Sequence, residues 1–331
     1  MGNCSFCGAA YTQTWPVSVA VGFVQQIVQA YEPDDRPEGS PQPLHIRLKT
    51  DWDLFGPLDS ARTRALVNAL APRPAGSSSP GVRLRAVDEV DGDEMVASWR
   101  RFSAELRGVN RWFPSEREAV AETLGRLVPS HTVPLSAPLI LYRARVCLSS
   151  DNFGVDDMGK PPAHLARAGR ANPSGIPYLY TASTTETAIK ECRPVHNGIV
   201  SVAAFATGRE ISVLDLTSTA PADPFASALT SPEGWTWESY ALAVISYQLR
   251  RVIGDELSRP VRPGEGEPDY ASTQFLCEYA KARGCDGVRY GSAVDPGNWN
   301  LVLFEDGHIE CRSIDRYEIT GVEVTTRLEG R

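Results

Sequence analysis

Apolar positions in the first third of the chain recur at helical spacing. Val17, Ala20, Val21, Val24, Ile27, Val28 and Tyr31 form one stripe, which Pro33 ends. Residues 60–70 read as a further helix. Met95, Trp99, Phe102 and Leu106, spaced by four, three and four, mark a second amphipathic face. Ser115 and Glu118 stand at capping-box spacing ahead of a helix that reaches about Val128. Between these segments lie a polar, proline-rich loop (EPDDRPEGSPQP), a short strand expected at 44–49, and a second loop, APRPAGSSSPG, at 71–81.

The pattern changes near residue 135. LILYRARV (139–146) is a continuous β-prone run, followed by a Gly/Pro-rich loop and a short strand, YLYTA (178–182). Ser183 and Glu186 predict a capped helix through Cys192, and IVSVAAF (199–205) and ISVLDL (211–216) predict strands. Trp237, Tyr240, Ala241, Val244 and Gln248 trace another helix, and a helix over 270–283 is closed by Gly284. Strands GVRYGS (287–292), NLVLFE (300–305) and EITGVEVTTRL (318–328) complete the pattern. There is no internal repeat. Strands and helices mix without regular βαβ alternation, so the expected class is α+β rather than a doubly wound sheet. The expected division is a mainly helical domain over 1–130 and a strand-rich domain over 131–331.

Composition narrows the functional classes. A chain of 331 residues buries roughly three quarters of its unfolded surface, so folding requires neither disulfides nor a metal. No apolar run approaches the ~20 residues that cross a bilayer, and no secretory signal opens the chain. A net charge of −8 argues against general nucleic-acid binding. The seven cysteines are odd in number and scattered, which fits a reducing compartment. A cytoplasmic protein without membrane or direct nucleic-acid partners is therefore expected. Cys4-Ser-Phe-Cys7 is a C-x-x-C motif with no second pair nearby. It fits either the remnant of a structural zinc ribbon or a metal-free terminus, and catalysis calls for no metal.

Several catalytic patterns are missing. There is no G-x-G-x-x-G after a strand, no Walker loop and no G-x-S-x-G, and the five histidines show no metal-ligand spacing. What remains is a concentration of arginine. Alternation in the strand expected at 139–148 puts Arg143 and Arg145 on one face with Leu139, Leu141 and Cys147. Cations in an apolar strand are costly unless an anion or carboxylate meets them; a pair at a solvent-facing strand edge is the other reading. Between Gly159 and Arg193, five basic residues (Lys160, Arg167, Arg170, Lys190, Arg193) outnumber Glu186 and Glu191. That local excess in an acidic chain suits a phosphate-bearing small molecule, or is simply a solvated loop.

The succession LYRAR (141–145), AGRANPSGIPYLYTA (168–182), ETAIKE (186–191), SVLDL (212–216), TQFLCEYAKARGCDGVRYGS (273–292) and NLVLF (300–304) resembles the RES domain family. The Arg, Glu and Ser for which that family is named fall on Arg143, Glu191 and Ser292, and the resemblance covers about 139–310. The opening CSFCG, the helix after it and YEP resemble an N-terminal domain that accompanies some RES and HEPN proteins. The resemblance implies an ADP-ribosyltransferase-like core of two small, mainly antiparallel sheets. It implies action on NAD⁺ as substrate, by hydrolysis, phosphorolysis or ADP-ribose transfer to a protein. It also implies a bacterial toxin held by a neutralising antitoxin. Homo-oligomerisation and an inactive NAD-binding sensor or interaction module are the remaining readings.

The chemistry suits these residues. Nicotinamide leaves as a neutral molecule and needs no proton, so one carboxylate beside the ribose suffices, where ordinary glycosidases use two. Under the resemblance Glu191 is that carboxylate. Arg143 and Arg170 bind the pyrophosphate, aided by amides of the 169–175 loop, and Tyr180 stacks on the nicotinamide. Ser292 hydrogen-bonds the ribose or amide without acting as a nucleophile. Gln274 is either a further contact or a tie at a helix terminus, and Trp299 and Asn300 are placed at the rim.

Overall fold

The computed structural model describes residues 2–3, 10–11, 17–34, 41–52, 54–55, 58–71, 81–87, 91–147, 153–217, 236–259 and 267–322. The chain forms two compact units, residues 1–100 with 219–250, and residues 101–218 with 251–331. Cys4, Cys7, most of the 71–81 loop and residues 323–328 lie outside the described residues.

In the first unit, short pairings β1 (Gly2–Asn3) with β2 (Ala10–Tyr11) and β3 (Tyr31–Pro33) with β4 (Val82–Leu84) accompany helices α1 (Val17–Val28), α2 (Leu44–Trp52) and α3 (Ser60–Leu70). Helix α2 replaces the strand expected at 44–49. Leu44, Leu48 and Trp52 recur every four residues and are all buried, but a six-residue window does not separate this period from that of a strand. Asp59 caps α3 by accepting from the Arg62 amide. The core of this unit gathers Ile27, Leu48, Trp52, Val67 and Leu84 with Tyr240, Val244 and Ile245.

Within that core sits a buried polar cluster. Asp51, 1% exposed, accepts from Tyr31 Oη (2.9 Å), Arg47 Nε (2.9 Å) and Gln248 Nε2 (2.6 Å). Arg47 continues to Asp93, and Trp52 Nε1 donates to Tyr31 Oη.

The second unit is built on one eight-stranded mixed sheet. Its strands are β5 (Thr132–Leu135), β6 (Ile140–Cys147), β7 (Leu179–Ala182), β8 (Ile199–Thr207), β9 (Ile211–Asp215), β10 (Gly287–Gly291), β11 (Trp299–Leu303) and β12 (Ile309–Glu318). The spatial order is β12-β8-β6-β7-β11-β10-β9-β5, and only β9 and β10 run parallel. The α+β class and the mainly antiparallel pairing are as the sequence implied. The two expected sheets correspond to a three-strand and a five-strand half, which meet through a single pair, Tyr142 opposite Ala182. Leu141, Leu179, Phe205, Val213, Leu301 and Leu303 form the core beneath the junction.

Helices α4 (Gly92–Gly108), α5 (Arg117–His131), α6 (Val155–Met158), α7 (Thr185–Glu191), α8 (Trp237–Ser258) and α9 (Ala271–Ala282) complete the described helices. Gly284, at φ +88°, closes α9 as expected. Two caps differ from expectation. Ser115 donates to Glu105 instead of capping α5, and Thr184, not Ser183, caps α7. The last strand among the described residues ends at Glu318, where the 318–328 strand was expected to begin; residues 319–322 are not in a strand, and 323–328 lie outside the described residues. IECRSIDRYE carries few apolar residues because β12 is an edge strand, paired along its length with β8 and largely exposed on its faces.

Replacing Asp51 by Ala removes the buried acceptor that Tyr31, Arg47 and Gln248 share. A buried pair broken on one side typically costs ~3 kcal/mol, so denaturant titration of Asp51→Ala is expected to show a correspondingly lowered midpoint.

Candidate active site

Helix α7 owes its position to both ends of its first turn. Thr184 Oγ1 accepts from the Thr187 amide at 3.0 Å, satisfying a free helix N–H. Asp295, in the turn between β10 and β11, accepts from Thr187 Oγ1 (2.6 Å), Lys190 Nζ (2.8 Å) and Asn298 Nδ2 (3.1 Å). Three bonds to one carboxylate tie α7 to that turn, and Asp295 is held below the usual carboxylate range by Lys190 and Thr187.

Glu191 is the last residue of α7, and its Oε1 faces the adjoining ends of β10 and β11. It accepts from Ser292 Oγ at 2.9 Å and from Asn300 Nδ2 at 2.6 Å. The hairpin register explains the convergence. Tyr290 pairs with Asn300 and Gly291 with Trp299, and the Ser292 amide donates to Asn298 O, so both side chains lie at the same end of the ladder. Two neutral donors fix one oxygen while Oε2 has no protein donor among the described residues. Ser292 and Asn300 are both buried.

The cleft in front of Glu191 opens where β6 and β7 part. Past their one pairing, Tyr142, Arg143 and Ala144 line one side and Tyr180, Thr181 and Ala182 the other, around a volume of about 370 Å³. Arg143 and Arg145, consecutive on one face of β6, have different environments. Arg145 is exposed, donates to Asp157 O and stacks on Phe153 at 4.5 Å. Arg143 lines the cleft, and its buried Nη1 has no hydrogen-bond partner among the described residues. Burial, aided by the neighbouring Arg145 charge, pulls the Arg143 guanidinium down to about 10. It remains a cation at neutral pH, and an unmatched buried donor of this kind calls for an anionic or acceptor ligand.

The third wall is the loop that carries Arg170. Tyr180 Oη donates to Asn172 Oδ1 (2.7 Å) and accepts from the Ala171 amide (3.1 Å), and its burial raises the phenol well above its ordinary range. Asn172 Nδ2 reaches Arg167 O, Pro173 O and Ile176 O. Gln274 Nε2, from α9, donates to Gly169 O (2.9 Å) and Asn172 O (3.0 Å). A Cβ on Gly169 would stand 2.6 Å from Tyr180 Oη, so only glycine permits this closure. Arg170 then lines the cleft, with Nη1 donating to Ser258 O at 3.2 Å.

Of the residues singled out by sequence, Arg143, Arg170, Tyr180 and Glu191 are brought to one cleft. Ser292 stands behind Glu191, its hydroxyl proton directed to the carboxylate. Gln274 braces the loop from α9 and does not line the cleft. The local basic excess largely dissolves: Lys160 pairs with Glu305 and Asp306, Lys190 with Glu186 and Asp295, and Arg167 and Arg193 are exposed. The amides of Gly169, Ala171 and Gly175 already donate within the protein, so they add nothing toward a ligand. Sequence reading put Asn300 only at the rim and passed over Asn172 and Asp295. Their signal was the turn chemistry of NPSG and DPGNW, which marks a loop but not what the side chains hold.

Cys192 also lines the cleft. Its Sγ donates to Ala144 O at 3.1 Å, and burial pushes the thiol up to about 11, so it is not a thiolate at neutral pH. Among the described residues no group of three or more His, Cys, Asp or Glu side chains is placed to hold a metal ion. No described helix is long and apolar enough to cross a membrane.

A family model described as RES domain matches residues 140–323, more than half of the chain. No curated protein matches at a significant level. Among solved structures, the crystal structure of the M. tuberculosis MbcT–MbcA toxin–antitoxin complex matches with a TM-score of 0.33 and 14% identity, covering 60% of this chain and 93% of that chain.

The unmatched Arg143 donor predicts that inorganic pyrophosphate binds in the cleft. Calorimetry is expected to detect that binding in the wild type and in Arg145→Ala, and to lose it in Arg143→Ala.

Proposed function

Because the chain belongs to the RES domain family, we propose that its cleft takes NAD⁺ as substrate and cleaves the nicotinamide–ribose bond. The observation that carries this reading is the Glu191 carboxylate, with one oxygen fixed by Ser292 and Asn300 and the other without a protein donor, on the wall of a cleft that also holds the unmatched cation of Arg143.

Each residue then has a stated task. Arg143 and Arg170 meet the pyrophosphate, the fork of Arg143 through the donor that no protein group satisfies. The Tyr180 ring, its hydroxyl already bound to the 169–176 loop, offers a face to the nicotinamide. The C1′–N bond breaks with its electron pair passing to the pyridinium nitrogen, so nicotinamide departs neutral and positive charge develops on the ribose. Glu191 Oε2 lies toward that charge and stabilises it without a proton transfer to the leaving group. Water adding to C1′ gives ADP-ribose and releases one proton; inorganic phosphate in its place gives the phosphorylated sugar. Ser292 and Asn300 act through Glu191 as positioning residues, since both donate to its Oε1 and fix the carboxylate in place.

The toxin role and the neutralising protein partner that the family resemblance implies belong to the same reading. Expression of the wild-type chain without a partner is expected to arrest growth and deplete cellular NAD⁺.

Purified protein is expected to consume NAD⁺ and release nicotinamide, with product analysis in the presence and absence of phosphate distinguishing phosphorolysis from hydrolysis. Mass shifts on added proteins would instead indicate ADP-ribose transfer. Glu191→Gln removes the charge that meets the developing cation and should lower kcat by about 10²-fold or more. Full turnover by that variant would exclude the mechanism. Asn300→Ala should lower kcat by roughly tenfold with little change in KM, as expected when a transition-state contact is loosened and not uniform binding.

A further inference from the structure

The second unit carries a groove apart from the cleft, with a volume of about 770 Å³. One wall is formed by the turn after α4 and the start of α5, the other by one face of α9, whose residues Ala271, Gln274, Phe275 and Glu278 recur at helical spacing. The two walls meet where Tyr279 Oη donates to Ala121 O at 3.0 Å.

Two features of this groove are unusual for a free surface. The first is exposed aromatic area on a rigid turn. Trp112 is 76% exposed and Phe113 75% exposed, with Val109 beside them at 83%. The turn is held by reciprocal bonds, Asn110 Nδ2 to Phe113 O (2.8 Å) and Phe113 N to Asn110 Oδ1 (3.1 Å). Glu105 anchors it further by accepting from both the amide and hydroxyl of Ser115. Large apolar side chains presented on an ordered turn bind without an added ordering cost, and tryptophan is among the residues that most often dominate interfaces.

The second feature is the placement of charge. Arg111 and Arg117 lie on the first wall, Glu267 and Glu278 on the second, and none of the four has an ion-pair partner among the described residues. A surface with unpaired cations on one side and unpaired anions on the other is complementary to itself after a two-fold rotation. In such an isologous contact each wall meets the opposite wall of the other copy.

We propose that this groove is a homodimer interface, in which Trp112 of each copy enters the groove of the other and Arg111 and Arg117 meet Glu267 and Glu278 across the two-fold axis. The contact lies outside the cleft and does not depend on the reaction proposed there.

Charge swapping tests the arrangement in the full-length chain, read by sedimentation equilibrium at low and high salt. The wild type is expected to be a dimer that weakens as salt screens the four charge pairs. R111E/R117E makes both walls acidic and E267K/E278K makes both basic, so each is expected to be monomeric alone. Mixed in equal amounts they are expected to restore a heterodimer, because every wall again meets its opposite. Trp112→Ala, an exposed position whose replacement leaves folding intact, is expected to raise the dissociation constant about tenfold or more. A monomeric wild type, a dimer that both charge variants preserve, or folded variants that fail to pair on mixing would each overturn the proposal.

Discussion

The cleft exists because two neighbouring strands stop pairing. β6 is joined to β8 along its whole length but to β7 at Tyr142–Ala182 only, so the sheet divides just where Arg143 begins to face inward. A backbone carbonyl left without its ladder partner must find another donor. Ala144 O finds Cys192 Sγ, from the residue that follows Glu191. The end of α7 thus supplies the donor that β7, splayed away from β6 beyond Tyr142, does not. The same placement brings Glu191 to the gap. If Tyr180 and Thr181 had stayed paired with β6, the ladder would have closed the cleft.

Everything else around the gap serves to keep it open and rigid. Asp295 ties the start of α7 to the β10–β11 turn, while Ser292 and Asn300, from the two sides of the same end of that hairpin, hold the carboxylate. On the other side, Tyr180, Asn172 and Gln274 lock the loop that presents Arg170. These contacts fix side chains in advance of any ligand, which is where positioning contributes most to a reaction with little acid–base chemistry.

How far the sequence reveals this depends on the kind of interaction. Strands and helices such as β8 or α9 were legible, and Arg143 and Arg170 stood out by charge against their surroundings, whereas Glu191 was marked only by the family resemblance. Helix α2 was not, because the apolar period emerges only once Trp52 is included, and β12 was not, because an edge strand need not be apolar. Within the site, the role of Asn300 was hidden. An asparagine in a β-prone run gives no sign that its amide will meet a glutamate 109 positions earlier, since that meeting depends on hairpin register. The local basic excess misled in the opposite direction: charge counted along the chain ignores partners brought from elsewhere. Lys160 and Lys190 are matched by acids more than a hundred residues away and Arg167 and Arg193 are exposed, so of the five only Arg170 lines the cleft, where it joins Arg143 of β6.

That reduction sharpens the electrostatic argument instead of weakening it. A solvated patch of five cations would attract anions broadly and weakly, and salt would screen it. Arg143 is different, because it is half-buried beside a second arginine and its buried Nη1 is left unmatched, at a cost the fold bears without a ligand. An anionic group entering the cleft recovers the missing interaction in a low-dielectric setting, where it is worth more than at the surface. Glu191 restricts which anion is accepted. Its free oxygen repels a second negative group placed beside it, and favours a ligand that carries its negative charge at one end and develops positive charge at the other. A dinucleotide with a pyrophosphate and a cationic ring has that distribution, and one unmatched cation with one clamped carboxylate in the same cleft is what favours it as the proposed substrate.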